Sequence, residues 1–176
     1  MAAVPSWIVR SAALIRIPVV LFPEAKFVMD DYETIRVGQA AYGKGVYARR
    51  RFKKGATVGE VLGEVIDLDG YDSNYCIDLG GPRRLEPGAP FRFINHSCTP
   101  NCRFVWYEPL RKTDPLPDTV WVETLRTIEP GEELSIDYCW PAEAAIRCGC
   151  RSPRCRGWIV DPAELPALVY TLRGHE

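Results

Sequence analysis

Three thiols crowd into the stretch CGCRSPRC, at Cys148, Cys150 and Cys155. Thiolates at this density suit a soft, four-coordinate ion, with Zn2+ the default. A closed structural site takes four ligands, so one more must come from elsewhere. Cys98 and Cys102, both in RFINHSCTPNC, are the nearest candidates by type. The competing arrangement is a disulfide plus a free thiol, but Cys148 and Cys150 are separated by one residue and are an awkward pair to bridge. Neither His nor Glu accompanies the triplet at close spacing, which favours a structural over a catalytic ion. RFINHSCTPNC also holds one of the two histidines of the chain. Its Asn95-His96-Ser97-Cys98 run is open to three chemistries: a nucleophile, a metal ligand, or a clasp for a bound cofactor. A Cys–His nucleophile needs an orienting group and oxyanion donors, and the neighbouring residues offer neither.

Two further segments are uninformative by themselves. AYGKGVYA carries Gly43 and Gly45, which lack the third glycine and following helix of a dinucleotide fingerprint. Glycines there permit a tight turn or the close approach of backbone to a ligand. GEELSIDYCW places Tyr138 at the end of a strand-like run, where a tyrosine is commonly core.

The elements that must position these groups read as short strands between turns. IRVGQ alternates, AAYGKG turns and GVYARRRF extends; KKGATVGEVLGEVIDL reads as turn, strand, turn, strand. SNYCIDLGG, CRFVWYE, TVWVETLRTI and EPGEELSIDY supply further strands, with a Pro-rich loop at 113–118. Only 162–172 offers a helix, with Asp161 as cap and Pro162 at its first position. Fifteen prolines and fourteen glycines exclude a bundle of long helices. The expected class is mainly β, with few short helices.

With 176 residues and 47% hydrophobic content, the chain suits one domain with its own core. A formal net charge of −1 supplies no global basic field for nucleic acid. SAALIRIPVVLF is broken by Arg16 and Pro18 and is too short to span a bilayer. Residues 1–34 are expected to form an N-terminal extension, an extra strand or a leader packed on the core. Seven cysteines, grouped partly at metal spacing, favour a reducing compartment, cytoplasm or nucleus.

Taken in order, YGKGVYA, GEVLGEVI, RFINHSCTPNC, GEELSIDY and CGCRSPRC resemble the SET-domain protein-lysine methyltransferases, including their cysteine-rich post-SET tail. The resemblance covers roughly residues 35–158. It implies a fold of small curved β-sheets with a pseudoknot-like crossing, a SET domain over 35–140 and a post-SET zinc segment over 141–160; a tail that carries the candidate helix follows over 161–176. It implies S-adenosylmethionine as cofactor, wrapped by Gly43, Lys44 and Gly45, contacted by Tyr75, held by Arg92, Asn95 and His96, and covered by Trp158. Cys98 would complete the zinc site with Cys148, Cys150 and Cys155, and Tyr138 would be the catalytic tyrosine. The Asn-His run is then a cofactor clasp and Cys98 a metal ligand.

The implied activity is methyl transfer to a lysine amine of a protein substrate, a histone or histone-like protein among the candidates. The alternative is a catalytically inactive SET-like module that binds peptides. The expected partner is a protein substrate that presents a lysine; no direct nucleic-acid binding and no membrane are expected, and the oligomeric state is left open. Two positions depart from the family pattern. Val61 stands in EVLGE where relatives often have tyrosine, and Ile136 lies two before Tyr138 where Phe or Tyr is usual. Both lose bulk, Val61 a hydroxyl as well and Ile136 the hydroxyl a tyrosine would bring, so a roomy channel formed with Tyr138 is expected to permit di- or trimethylation.

Overall fold

The computed structural model describes residues 33–71, 73–106 and 119–173. Most of the N-terminal extension and the Pro-rich loop at 113–118 lie outside the described residues. The described residues form twelve short strands and one α-helix, which matches the mainly-β expectation.

Strands β1 (Ile35–Ala40) and β2 (Gly43–Ala48) form a hairpin, antiparallel from Ile35↔Ala48 to Ala40↔Gly43. Its tight turn needs a left-handed residue, and Gly43 takes it at φ 86°. Strand β3 (Thr57–Glu60) joins a sheet with β8 (Cys102–Val105) and β9 (Trp121–Thr124), in the order β3-β9-β8. Strands β4 (Gly63–Asp67), β5 (Ile77–Gly80) and β6 (Arg83–Pro87) make a second three-stranded sheet with β6 in the middle.

The decisive pairing is in the four-stranded sheet β1-β2-β10-β7, where β7 is Asn95–His96 and β10 is Glu133–Ile136. β10 runs antiparallel to β2 but parallel to β7, in the register Ser135↔Asn95 and Ile136↔His96. The Asn-His motif is thereby laid beside the strand that leads into Tyr138. Asn101 completes the edge. Its buried side chain donates to the Glu133 carbonyl (2.8 Å) and accepts the Ser135 amide (2.8 Å), as a paired strand would.

One core joins the three larger sheets. Val46, Leu134 and Ile136 come from the first; Val58, Cys102 and Val122 from the second; Ile77 and Leu85 from the third. Each such aliphatic side chain contributes roughly 1.5–3 kcal/mol by leaving water. Trp140 and Ala144 form a smaller cluster against Tyr138 and Ile159.

The tail carries the two-stranded ladder β11 (Ile146–Arg147) with β12 (Trp158–Ile159), then α1 (Leu165–Arg173). Asp161 caps as expected, its Oδ1 accepting the Ala163 amide at 2.8 Å, though regular helix starts at Leu165. None of the described helices is long and apolar enough to cross a membrane.

Candidate active site and thiolate cluster

The tail folds back so that its thiols meet the segment after β7. Cys98 Sγ lies 3.7 Å from Cys148 Sγ and 4.0 Å from Cys155 Sγ. A bond of about 2.3 Å to each sulfur gives a tetrahedron with edges of about 3.8 Å. The observed separations fit that figure. Three backbone amides also point at sulfur: Arg156 N–H at Cys98, Cys150 N–H at Cys148 and Gly157 N–H at Cys155, each at 3.4 Å. Such amides stabilise thiolates.

A fifth group competes for the site. His96 Nε2, Cys98, Cys148 and Cys150 place their ligand atoms within 4.8 Å of one another. His96 Nδ1, however, accepts the Tyr138 amide at 3.2 Å. The proton of the neutral ring therefore sits on Nε2, which points at Cys98 Sγ from 3.4 Å as a donor. Burial holds His96 neutral, with a pKa lowered to about 4. In that tautomer Nε2 faces Cys98 as a donor, and Cys98, Cys148, Cys150 and Cys155 are the thiols that could hold an ion. Cys102, the other candidate by type, is fully buried in the core, and burial pushes its thiol up to about 12.

Beside this cluster, two cavities open at the end of the four-stranded sheet. One, of about 170 Å³, is the more polar of the two and is bordered by Asn95, Ser97, Glu133 and Ser135. The other, of about 290 Å³, is bordered by Tyr138, Trp140, Ile146 and Ile159. Tyr42, Asn95, His96, Gly149 and Cys150 border both. The Asn95 amide donates to the Lys44 carbonyl (3.0 Å) and to Glu133 Oε1 (2.6 Å), which ties β7 to the glycine turn.

Tyr138 packs between the core and this space. Its hydroxyl donates to the Ile94 carbonyl at 2.8 Å, and its ring centroid lies 5.4 Å from that of His96 and 5.5 Å from that of Trp140. Burial, followed by the charges of Tyr75 and Glu133, pushes its pKa up to about 12. The next residue, Cys139, turns at φ 49°, strain that a non-glycine residue stores only where its surroundings enforce it.

The sequence-expected residues do not all take the same position. Asn95, His96 and Tyr138 border the cavities, and Gly43, Lys44 and Gly45 form the adjoining turn and strand. Arg92 is directed elsewhere: its Nη1 bonds Glu86 Oε1 at 2.7 Å and its guanidinium covers the Tyr75 ring at 3.9 Å. Trp158 lies under Arg147, 4.1 Å from the guanidinium, while its neighbour Ile159 reaches the larger cavity. Val61 and Ile136 are buried in the core that Tyr138 packs against.

Tyr42, Trp140, Glu133 and the Arg156–Asp137 pair were not singled out from sequence. For Trp140 a signal existed, since it alternates with Tyr138 two residues earlier. Arg156 grips Asp137 with two bonds of 2.7 and 2.8 Å, and donates to the Val160 carbonyl. This fork locks the tail to the residue before Tyr138. Arg156→Lys is expected to keep the charge but lose the fork. Stability of the tail should fall by about 1–2 kcal/mol, read as faster amide exchange over 146–160.

Residues 43–139 match the SET domain family. The chain belongs to the SET domain family. Among curated relatives, an H3 lysine-4 specific histone-lysine N-methyltransferase of Schizosaccharomyces pombe is 35% identical over 133 residues, 65% of this chain and 14% of that protein. Histone-lysine N-methyltransferase ASHH2 of Arabidopsis thaliana is 30% identical over 169 residues, 85% of this chain and 9% of that protein. This SET domain therefore spans a small part of the length of either relative. Among solved structures, KRYPTONITE, crystallised in complex with mCHG DNA and SAH, superposes with a TM-score of 0.58 at 23% identity. The match covers 71% of this chain and 28% of that one, and it establishes the shared fold.

Proposed function

We propose that this SET domain is an S-adenosylmethionine-dependent protein-lysine N-methyltransferase whose tail is held by a structural zinc ion. The carrying observation is the convergence of Asn95, His96 and Tyr138 on one cleft, walled on its far side by the thiolate loop. The residues fit the cofactor. The cleft has a polar and an apolar part, and Trp140 Nε1, buried beside the latter, has no hydrogen-bond partner among the described residues. Asn95, His96 and the Gly43–Gly45 backbone would hold the cofactor, with Ile159 and Trp140 as apolar wall. When bound, the cofactor supplies a methyl group on a cationic sulfonium. The zinc, held by Cys98, Cys148, Cys150 and Cys155, supplies a cross-link between body and tail.

The protein's own residues then have defined tasks. A lysine amine, ordinarily protonated with a pKa of about 10.4, must lose its proton to attack. An apolar channel beside a positive charge lowers that value. Tyr138 keeps its proton at neutral pH, so it works as a polar wall and aligning group and is not the base. Most of the rate comes from alignment in the channel. A histone-like protein is the proposed substrate class, by analogy with the relatives, and a reducing, nuclear or cytoplasmic setting suits the seven free thiols. The proposed units are the SET body over 35–140, the zinc segment over 141–160 and the helical tail after it.

Calorimetric titration with S-adenosylmethionine, then mass spectrometry of histone peptides after incubation, tests this reading. Micromolar binding and a mass gain of whole methyl groups are expected. Peptide binding without cofactor binding would instead identify an inactive peptide-binding module. Val61 and Ile136, buried in the core that Tyr138 packs against, bring neither an aromatic ring nor a hydroxyl to that side of Tyr138, so the time course is expected to pass beyond one methyl. A stall at monomethyl lysine would overturn the roomy channel.

A further inference from the structure

Tyr42 is out of place as an ordinary surface tyrosine. It sits in the β1–β2 turn with 66% of its surface exposed, yet its hydroxyl reaches across to the Gly149 carbonyl at 3.1 Å. Gly149 lies between Cys148 and Cys150 in the thiolate loop. The contact is so close that a Cβ at position 149 would run into the Tyr42 hydroxyl. Tyr42 and Gly149 both border each of the two cavities, so the bridge they form crosses the cleft where its polar and apolar parts meet. Among the described residues, no other hydrogen bond ties the glycine turn directly to the metal-binding loop. A small molecule lying along both parts of the cleft would have this bridge at its waist.

We propose that Tyr42 is a positioning residue that latches the glycine turn onto the thiolate loop and so sets how long the cofactor stays bound. The proposal rests on the cofactor assignment made above. The latch is a neutral hydrogen bond on an exposed ring, strong enough to slow release and weak enough to open. It also makes cofactor retention depend on the metal, because the loop that carries Gly149 is shaped by Cys148 and Cys150.

The test uses the full chain loaded with zinc, with metal content measured for each variant. Tyr42→Phe removes only the hydroxyl. Gly149→Ala displaces the hydroxyl without altering Tyr42. Two readouts apply: amide exchange of residues 146–151 without cofactor, and the stopped-flow dissociation rate of S-adenosylmethionine. Either single variant is expected to raise exchange and to speed dissociation about fivefold, the worth of one neutral hydrogen bond. Tyr42→Ala with Gly149→Ala should be no worse than Tyr42→Ala alone, since both act through one contact. Unchanged exchange and unchanged dissociation in Tyr42→Phe would overturn the latch. Tighter binding in that variant would also overturn it, by showing Tyr42 to be a plug. An undiminished Gly149→Ala effect in the Tyr42→Ala background would place the defect in the metal loop and overturn it as well. If the parent chain binds no cofactor, the functional reading fails and the residence-time role fails with it, while the exchange data separately decide whether the bridge exists.

Discussion

Cys98→Ser is expected to release the metal and, with it, the cofactor, while leaving the body of the domain folded. Cys98 is the one ligand of the fitting set contributed by the body; Cys148, Cys150 and Cys155 all lie in the tail. Among the described residues, the main hydrophobic cluster draws its members from positions up to Tyr138. What else holds the tail is modest: the Arg156–Asp137 fork, the Tyr42–Gly149 bridge, a Thr99–Ser152 hydroxyl contact of 2.7 Å and the small Trp140 cluster. Structural zinc binding is folding energy for so small a unit, on the order of 10 kcal/mol. Chelation or Cys98→Ser should therefore raise amide exchange throughout 146–160 and weaken S-adenosylmethionine binding about a hundredfold, with the main thermal transition nearly unchanged. Cys102→Ser is the contrast, because it places a hydroxyl in a fully buried core site. It should lower the main transition and keep full metal content. A Cys98→Ser protein that retained one tightly held ion and an ordered tail would show that His96 Nε2 takes the fourth position.

Tyr138→Phe should separate binding from chemistry. The ring keeps its packing against His96 and Trp140, so cofactor affinity should change by less than about twofold. Methyl transfer should fall on the order of a hundredfold, as expected when an aligning contact is lost. The pH profile adds a second test. Burial holds the Tyr138 phenol at about 12, above its ordinary 10, so the proton stays on across the assay range. The rate should rise with pH as the substrate amine deprotonates, with no downturn from Tyr138 below about pH 10. The phenylalanine variant should show the same shape at a lower level. A downturn near pH 9 that vanishes in the variant would show that the phenol titrates in that range.

Much of this architecture is legible in the chain because its signals are local. Alternation in IRVGQ, the glycine turn before GVYA and the Pro-Gly turn before ELSIDY each specify a strand or its end without reference to the rest of the molecule. Thiol spacing in CGCRSPRC declares a soft-metal ligand set for the same reason, since three ligands on one short loop need no long-range information. Asp161 and Pro162 mark the described α-helix to within a few residues.

Contacts made across the fold are another matter. Sequence leaves Cys98 and Cys102 equivalent by type; the chain's path through β7 turns one to the tail and buries the other in the core. Arg92 could as easily have faced Asn95 as Glu86, because a long guanidinium side chain goes where a carboxylate waits. Tyr42 is an unremarked turn residue until Gly149 arrives beneath it from more than a hundred positions away. The strands, the turns and the ligand types were thus written in the sequence. Which groups share a cleft was decided by the parallel β7–β10 pair and the folded-back tail, since only tertiary packing brings residues so distant along the chain to bonding distance.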